Sequence, residues 1–384
     1  MKNRIYLDHA ATTPVSKPVL EAMLPYFSAN PGNASAVYGT GRDARKAVEK
    51  ARRQVAEAIG AEPREILFTC GGSESDNQAI KGAAFALREK GKHIITSAIE
   101  HPAVLNTCRW MEKQGYTVTR IMPDREGRIV PEEVRKAIRE DTILISIMAA
   151  NNEIGTIEPL EGIGTIAHEH GILFHTDAVQ AIGAIPTEVN TWHTDLLSLS
   201  GHKFSGPKGT GALYVRRGTR IDSLIHGGEQ ERGLRAGTEN VPGIVGIGQA
   251  IMEATEHLKE NSERAEQLRD RLVRGILRSV PDTRINGPES GRLPNNASIR
   301  FSGIDGEALL LRLDLAGIAT SSGSACTAGS MNISHVLTAI GLTEEQARGS
   351  LRLTVGAENT EEEIDEAIVI IRDIVQDLRK LYHV

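Results

Sequence analysis

Cysteine is scarce in this chain, and its scarcity excludes two chemistries. The three cysteines among 384 residues, Cys70, Cys108 and Cys326, are an odd number with no CxxC spacing. A disulfide framework and a zinc cage therefore have no support, and a reducing, cytoplasmic setting is expected. Also missing is any apolar run near the roughly 18 residues of a membrane span. The first residues, MKNRIYLDHAATTP, hold no continuous apolar stretch of the signal-peptide kind. Charge of one sign is not in large excess: a formal net charge of −6 argues against a nucleic-acid footprint. Basic clusters such as residues 42–53 alternate with acids at helical spacing and read as a solvated helix face. Internal repeats and low-complexity tracts are absent as well.

What is present suffices for two packed units, because 384 residues exceed the roughly 250–300 at which one core stops growing. The middle of the chain alternates short apolar runs with helical patterns, which predicts an α/β fold around a mostly parallel sheet. Seven strands are expected at 65–69, 93–97, 117–121, 142–149, 172–176, 196–198 and 211–215. A helix over 43–59 follows from Ala44, Ala47, Val48, Ala51, Val55, Ala58 and Ile59 on one face. From Val245 the pattern becomes a long helix rich in Ala, Glu and Lys, running on to about residue 277. Beyond it a smaller α+β unit is expected, with strands at 296–301 and 350–354 and a helix at 306–316. Its last helix opens on a capping box, Thr360 with Glu363. The expected division is a large unit over 13–256 and a small one over 257–384, with residues 1–12 packed on the small one.

Chemistry concentrates where strands end. In SGHKFSGPKGTGALYV a lysine, Lys203, stands between His202 and Phe204 directly after an apolar strand. An isolated lysine there would place its ammonium in water. With the glycines and with Ser200 and His202 it instead forms a tight loop suited to holding a phosphate while the amine makes an imine. In FHTDAVQA, Asp177 closes another strand, with Gln180 three residues on. Alone, Asp177 could be a helix cap; beside an imine-forming lysine it can keep a pyridine nitrogen protonated and make the ring an electron sink. TCGGSESDN puts Gly72 and Ser73 at a helix start, a ready anion site. His101 in AIEHPAV and Asn151 and Asn152 in MAANNEIG lie beyond two further strands. Polar residues at successive strand ends of one sheet mark where open α/β sheets bind ligands.

Taken together, these motifs resemble the cysteine desulfurases of the NifS/IscS type, in the class V aminotransferase family of fold-type I pyridoxal phosphate (PLP) enzymes. The resemblance runs from YLDHAATTP through GGSESDN, EHPAV, NNEIG, HTDAVQ, SGHKFSGPKG and GLRAGTENV to SSGSACTAGS. It implies Lys203 as the Schiff-base lysine and mover of the substrate α-proton. It implies Asp177 on the pyridinium nitrogen, Gln180 on the phenolic oxygen and His101 stacked on the ring, assisting proton transfer. Gly72, Ser73, Ser200 and His202 would hold the phosphate, joined by Thr238 from the partner subunit of a homodimer. Asn152 would touch the cofactor and, with Arg352, grip the carboxylate of L-cysteine. Sulfur-acceptor proteins, an iron–sulfur scaffold or a tRNA-thiolating enzyme, are the implied partners, with no metal, nucleic acid or membrane. The chain departs from the pattern at Tyr38, Ser73, Thr176, Glu229 and Thr354.

Cys326 decides among the enzymes that share this lysine and aspartate. It sits in a segment, 321–334, rich in Ser, Gly and Ala, which has little to anchor it by burial. There it is expected to take sulfur from the substrate as a persulfide, helped to deprotonate by a neighbour such as His101. Cys70 and Cys108 are expected to be buried and structural. A selenocysteine lyase, an aminotransferase or a PLP-binding docking platform are the rival readings.

Overall fold

The computed structural model describes residues 4–322 and 333–382. Its strands in chain order are β1 (Ile5–Tyr6), β2 (Ile66–Thr69), β3 (His93–Ser97), β4 (Thr117–Ile121), β5 (Thr142–Ser146) and β6 (Leu173–Asp177). There follow β7 (Leu196–Ser200), β8 (Gly211–Val215), β9 (Thr283–Ile285), β10 (Asn296–Phe301), β11 (Ile318–Ala319) and β12 (Ser350–Thr354). The large sheet has seven strands in the order β2-β8-β7-β6-β5-β3-β4. The β3–β4, β3–β5, β5–β6 and β6–β7 pairs are parallel, and β8 alone runs against its neighbours. This is the expected mostly parallel α/β sheet. Every residue of β2, β3, β5 and β7 is buried, because helices cover both faces of such a sheet. Fully burying one aliphatic side chain such as Leu144 or Ile145 contributes about 1.5–3 kcal/mol.

A second, separate core is built on the antiparallel sheet β12-β10-β9 and the helices Leu258–Ser279, Gly306–Ala316 and Glu361–Tyr382. Ile5 and Leu7 are buried in it, and β1 pairs in parallel with β11. Thr360 and Glu363 make both bonds of the predicted capping box.

Three local expectations fail. The long helix after Val245 is two helices, Val241–Glu256 and Leu258–Ser279, with His257 non-helical between them. Just before the break the Thr255 hydroxyl bonds back to the Ile251 carbonyl at 2.8 Å, a contact that bends helices. Second, helix Gly39–Ala58 does not present all its cations to water. Arg52 is buried and forms a two-pronged pair with Glu231 (2.6 and 2.8 Å), also donating to the Ile66 carbonyl. Third, Cys70 is exposed at the end of β2, whereas Cys108 is buried as expected. No described helix is long and apolar enough to cross a membrane.

Candidate active site at the carboxyl ends of the sheet

The parallel strands bring their C-terminal ends to one edge, where the predicted residues meet. β6 ends on Asp177 and β7 on Ser200, whose chain continues as a single 3-10 turn, Gly201–Lys203. His101 follows β3 as the N-cap of helix Pro102–Lys113. Its Nδ1 accepts the Ala103 amide at 3.1 Å, so a neutral ring carries its proton on Nε2. Asn151 shapes the turn after β5: its Oδ1 accepts the amides of Glu153 and Ile154 and its Nδ2 donates to the Ile99 carbonyl. Asn152 is thereby set at the edge of the site.

Helix Gly72–Ala86 starts beside this edge with no side chain capping its first amides. Gly71 precedes it at φ 148°, a conformation that favours glycine. A Cβ at Gly72 would lie 2.6 Å from Val179 Cγ2 and 3.7 Å from Ser200 Cβ, so the loop packs flush against the β7 end. Ser73 is exposed on that first turn, and His202 shares a hydrogen bond with the Thr12 hydroxyl at 3.1 Å. Bare amides, two serines and a histidine thus stand where they could cradle a phosphate.

Lys203 Nζ donates to the carbonyls of Ala10 and Ala11 at 2.5 and 2.8 Å, and Gln180 Nε2 donates to the same Ala10 carbonyl at 3.0 Å. Burial, and next the Arg352 charge, push the Lys203 ammonium down to about 8, within reach of the free amine. Asp177 is buried and accepts the Val179 amide at 2.9 Å. Burial raises its pKa, while His101 and Lys203 pull it back. Burial lowers His101, and it drives His202 down to about 4, leaving both imidazoles neutral near pH 7. Thr176, one of the departures, is fully buried and its hydroxyl finds no partner among the described residues.

Arg352, on β12 of the second core, reaches the same edge. Its Nη2 donates to Asp8 Oδ1 at 2.8 Å and its Nη1 to the Asn152 carbonyl at 3.1 Å. The main chain of Asn152, not its amide, makes the contact. Thr354 Oγ1 accepts the Ala10 amide at 2.9 Å, so the departure at that position helps to hold the N-terminal segment. Thr238 is exposed, far in sequence from these groups and not joined to them within the chain. Cys326 lies outside the described residues.

The sequence reasoning missed Asp8, Thr12, Thr13 and the Ala10 and Ala11 carbonyls, which line the site from the N-terminal segment. It missed Asp76 too. That acid shares the buried face of its helix with Ser75, Ala79, Ile80 and Ala83, a helical spacing that could have marked it.

A lysine with a depressed pKa, a buried aspartate short of a cationic partner and a phosphate cradle are the donor set of a fold-type I PLP enzyme, and they fit that cofactor. The chain belongs to the Aminotransferase class-V family, whose profile matches residues 5–367, and PLP is its cofactor. It is 56% identical over 377 residues to cysteine desulfurase IscS of Methanosarcina thermophila, covering 98% of this chain and 93% of that one. Among solved structures it resembles a NifS-like protein at 41% identity and TM-score 0.92, over 98% of this chain and 100% of that one. It is also similar to SspA in complex with cysteine, with 43% identity, TM-score 0.83 and coverage of 93% and 100%.

Proposed function

We propose that the chain is a cysteine desulfurase that takes the sulfur of L-cysteine as a persulfide on Cys326 and releases L-alanine. The observation that carries this reading is the meeting of Lys203, Asp177 and His101 at one sheet edge with Arg352 from the second core. The similarity to proteins named cysteine desulfurases over nearly the whole length supports it.

PLP, when bound, supplies an electron sink for the carbanion at the substrate α-carbon. Gly72, Ser73, Ser200 and His202 hold its phosphate. Asp177 keeps the ring nitrogen protonated, Gln180 faces the phenolic oxygen and His101 covers the ring face. Lys203 would hold the cofactor through its amine and, when free, would move the substrate α-proton, a task that suits an amine held near 8. Arg352 turns from Asp8 to grip the substrate carboxylate beside Asn152. Cys326, as thiolate, attacks the substrate sulfur. An S–S bond forms, the C–S bond breaks with its electron pair on carbon, and the carbon fragment takes up a proton on its way to alanine.

Residues 13–256 and 257–384 act as two units, with residues 1–12 belonging to the second. Two copies assemble, with Thr238 of each reaching the other's phosphate. Exposed Leu20, Leu24, Phe27, Val37 and Tyr38 give that association apolar area. The persulfide sulfur passes in the cytoplasm to an iron–sulfur scaffold or a tRNA-thiolating enzyme.

The test measures alanine and sulfide from L-cysteine with a reductant. Wild type should produce both. Lys203→Ala should produce neither and should lose the borohydride-reducible imine. Cys326→Ser should keep the imine and release no sulfide; an undiminished rate would overturn the reading.

A further inference from the structure

Behind Asp177 stands a second acid that none of these roles uses. Asp76, on helix Gly72–Ala86, is 1% exposed, and its Oδ1 has no hydrogen-bond partner among the described residues. One oxygen of Asp76, one oxygen of Asp177 and a ring nitrogen of His101 lie within 4.8 Å of one another. His175, two residues before Asp177 and so on the same face of β6, places Nε2 3.7 Å from Asp76 Oδ1. Both His175 nitrogens are already engaged, by Ser146 at 2.8 Å and Ser198 at 3.0 Å.

The surroundings offer Asp76 little positive charge. Burial holds His175 down at about 3 and also lowers His101, so neither ring is a cation at neutral pH. Glu100, the other acid facing this pocket, is itself raised to about 8 by burial and offers no positive charge. Two carboxylates in one dry site cannot both ionise readily. The proton belongs on the acid with fewer stabilising partners. Asp177 accepts the Val179 amide, and the Lys203 ammonium favours its charge. Asp76 is pushed well up, first by burial and then by Asp177, and only the Ser198 hydroxyl pulls it back.

We propose that Asp76 holds the proton of this pair, standing as a neutral acid that leaves Asp177 alone as the anion facing the cofactor nitrogen. Asp76 is a positioning residue, acting through Asp177, and its role rests on the role assigned to Asp177 above. Its neutral dipole replaces what would otherwise be a repelling charge, and its polarity keeps Asp177 from taking up the proton itself.

The first test uses cofactor-free protein carrying 13C-aspartate, read by isotope-edited infrared spectroscopy at neutral pH. A protonated aspartic-acid carbonyl band is expected in the wild type and absent in Asp76→Asn. No such band in wild type, or one that survives in Asp76→Asn, overturns the proposal. The second uses pyridine-15N-labelled PLP bound to wild type, Asp76→Asn and Asp76→Leu. The asparagine variant should keep the pyridinium signal, and the leucine variant should move it toward neutral pyridine. A signal moved equally in both variants, or in neither, also overturns it. If wild type forms no imine with PLP, it is the proposed function that fails, while the infrared result still decides where the proton sits.

Discussion

Arg352 Nη2 and Asp8 Oδ1 meet at 2.8 Å, although 344 residues separate them in the chain. The guanidinium is buried, and its Nε has no hydrogen-bond partner among the described residues. A carboxylate already occupies part of its fork, which is the geometry that a substrate carboxylate would need. Under the proposed function, Asp8 would hold the fork in place until a substrate carboxylate takes its position.

Arg352→Lys tests the fork rather than the charge. Lysine keeps the charge but cannot present two parallel donors. Losing one charge-assisted hydrogen bond costs about 1.5–3 kcal/mol, so kcat/KM for L-cysteine should fall roughly 10- to 100-fold, mainly through KM. Steady-state kinetics check this, and an unchanged KM would remove Arg352 from substrate binding.

Lys203→Met should make the cofactor-free protein inactive yet more stable. The folded protein holds this ammonium at about 8 against an ordinary 10.5. Below pH 8 both states are protonated and the folded state bears the full burial penalty. Between pH 8 and 10.5 the unfolded state binds the extra proton, so stability rises with pH. Methionine removes the charge, and a gain on the order of 1–2 kcal/mol at pH 7 is expected in urea unfolding, after the lost bonds to Ala10 and Ala11 are counted. The gain should vanish near pH 10.

The Arg52–Glu231 pair predicts non-additive mutational effects. Glu231 also accepts the Phe68 amide at 3.2 Å, and it sits at φ 47°, next to Arg232 at φ 60°. The pair thus ties a strained turn to β2. Removing one partner, as in Glu231→Gln or Arg52→Met, should destabilise by about 3–5 kcal/mol, because the other charge stays buried. The double variant Arg52→Met/Glu231→Gln should recover part of that loss in a double-mutant cycle. Strictly additive losses would show the pair to be unimportant.

Glu158 sets a pH dependence of opposite sign to that of Lys203. Burial lifts its acid to about 8, although its Oε2 accepts the Ile129 amide at 2.7 Å. Glu100, pushed up by burial to about 8 as well, behaves in the same way. An acid with a raised folded pKa is stabilising while protonated, so stability should fall as pH rises from about 4.5 to 8. In Glu158→Gln that fall should shrink by on the order of 2–3 kcal/mol. Chemical denaturation at pH 5.5 and pH 8 checks it.

The sheet was legible because its strands are short apolar runs closed by polar residues: β3, β4 and β8 match the expected ranges to the residue. β1, β9 and β11 were not, since two or three residues carry no periodicity. In the site, Lys203, Asp177 and His101 stood out because charge and imidazole at strand ends are chemically conspicuous. Asp8 and the Ala10 and Ala11 carbonyls did not. Backbone acceptors leave no trace in side-chain identity, and Asp8 acquires its role only when β12 arrives beside it. Arg52 was misread for a related reason: its helical spacing suits a solvated face, and only Glu231, 179 residues away, makes burial tolerable.

The threading of residues 8–13 past Lys203, Gln180 and His202 up to Thr354 has a consequence during synthesis. Synthesis runs from the N-terminal side, so Asp177 and Lys203 leave the ribosome well before the fork on Arg352. Until then the earliest-made segment waits without its partners β11 and β12. A nascent or truncated chain can thus own every group that holds the cofactor and still lack the one that aims an amino acid at it.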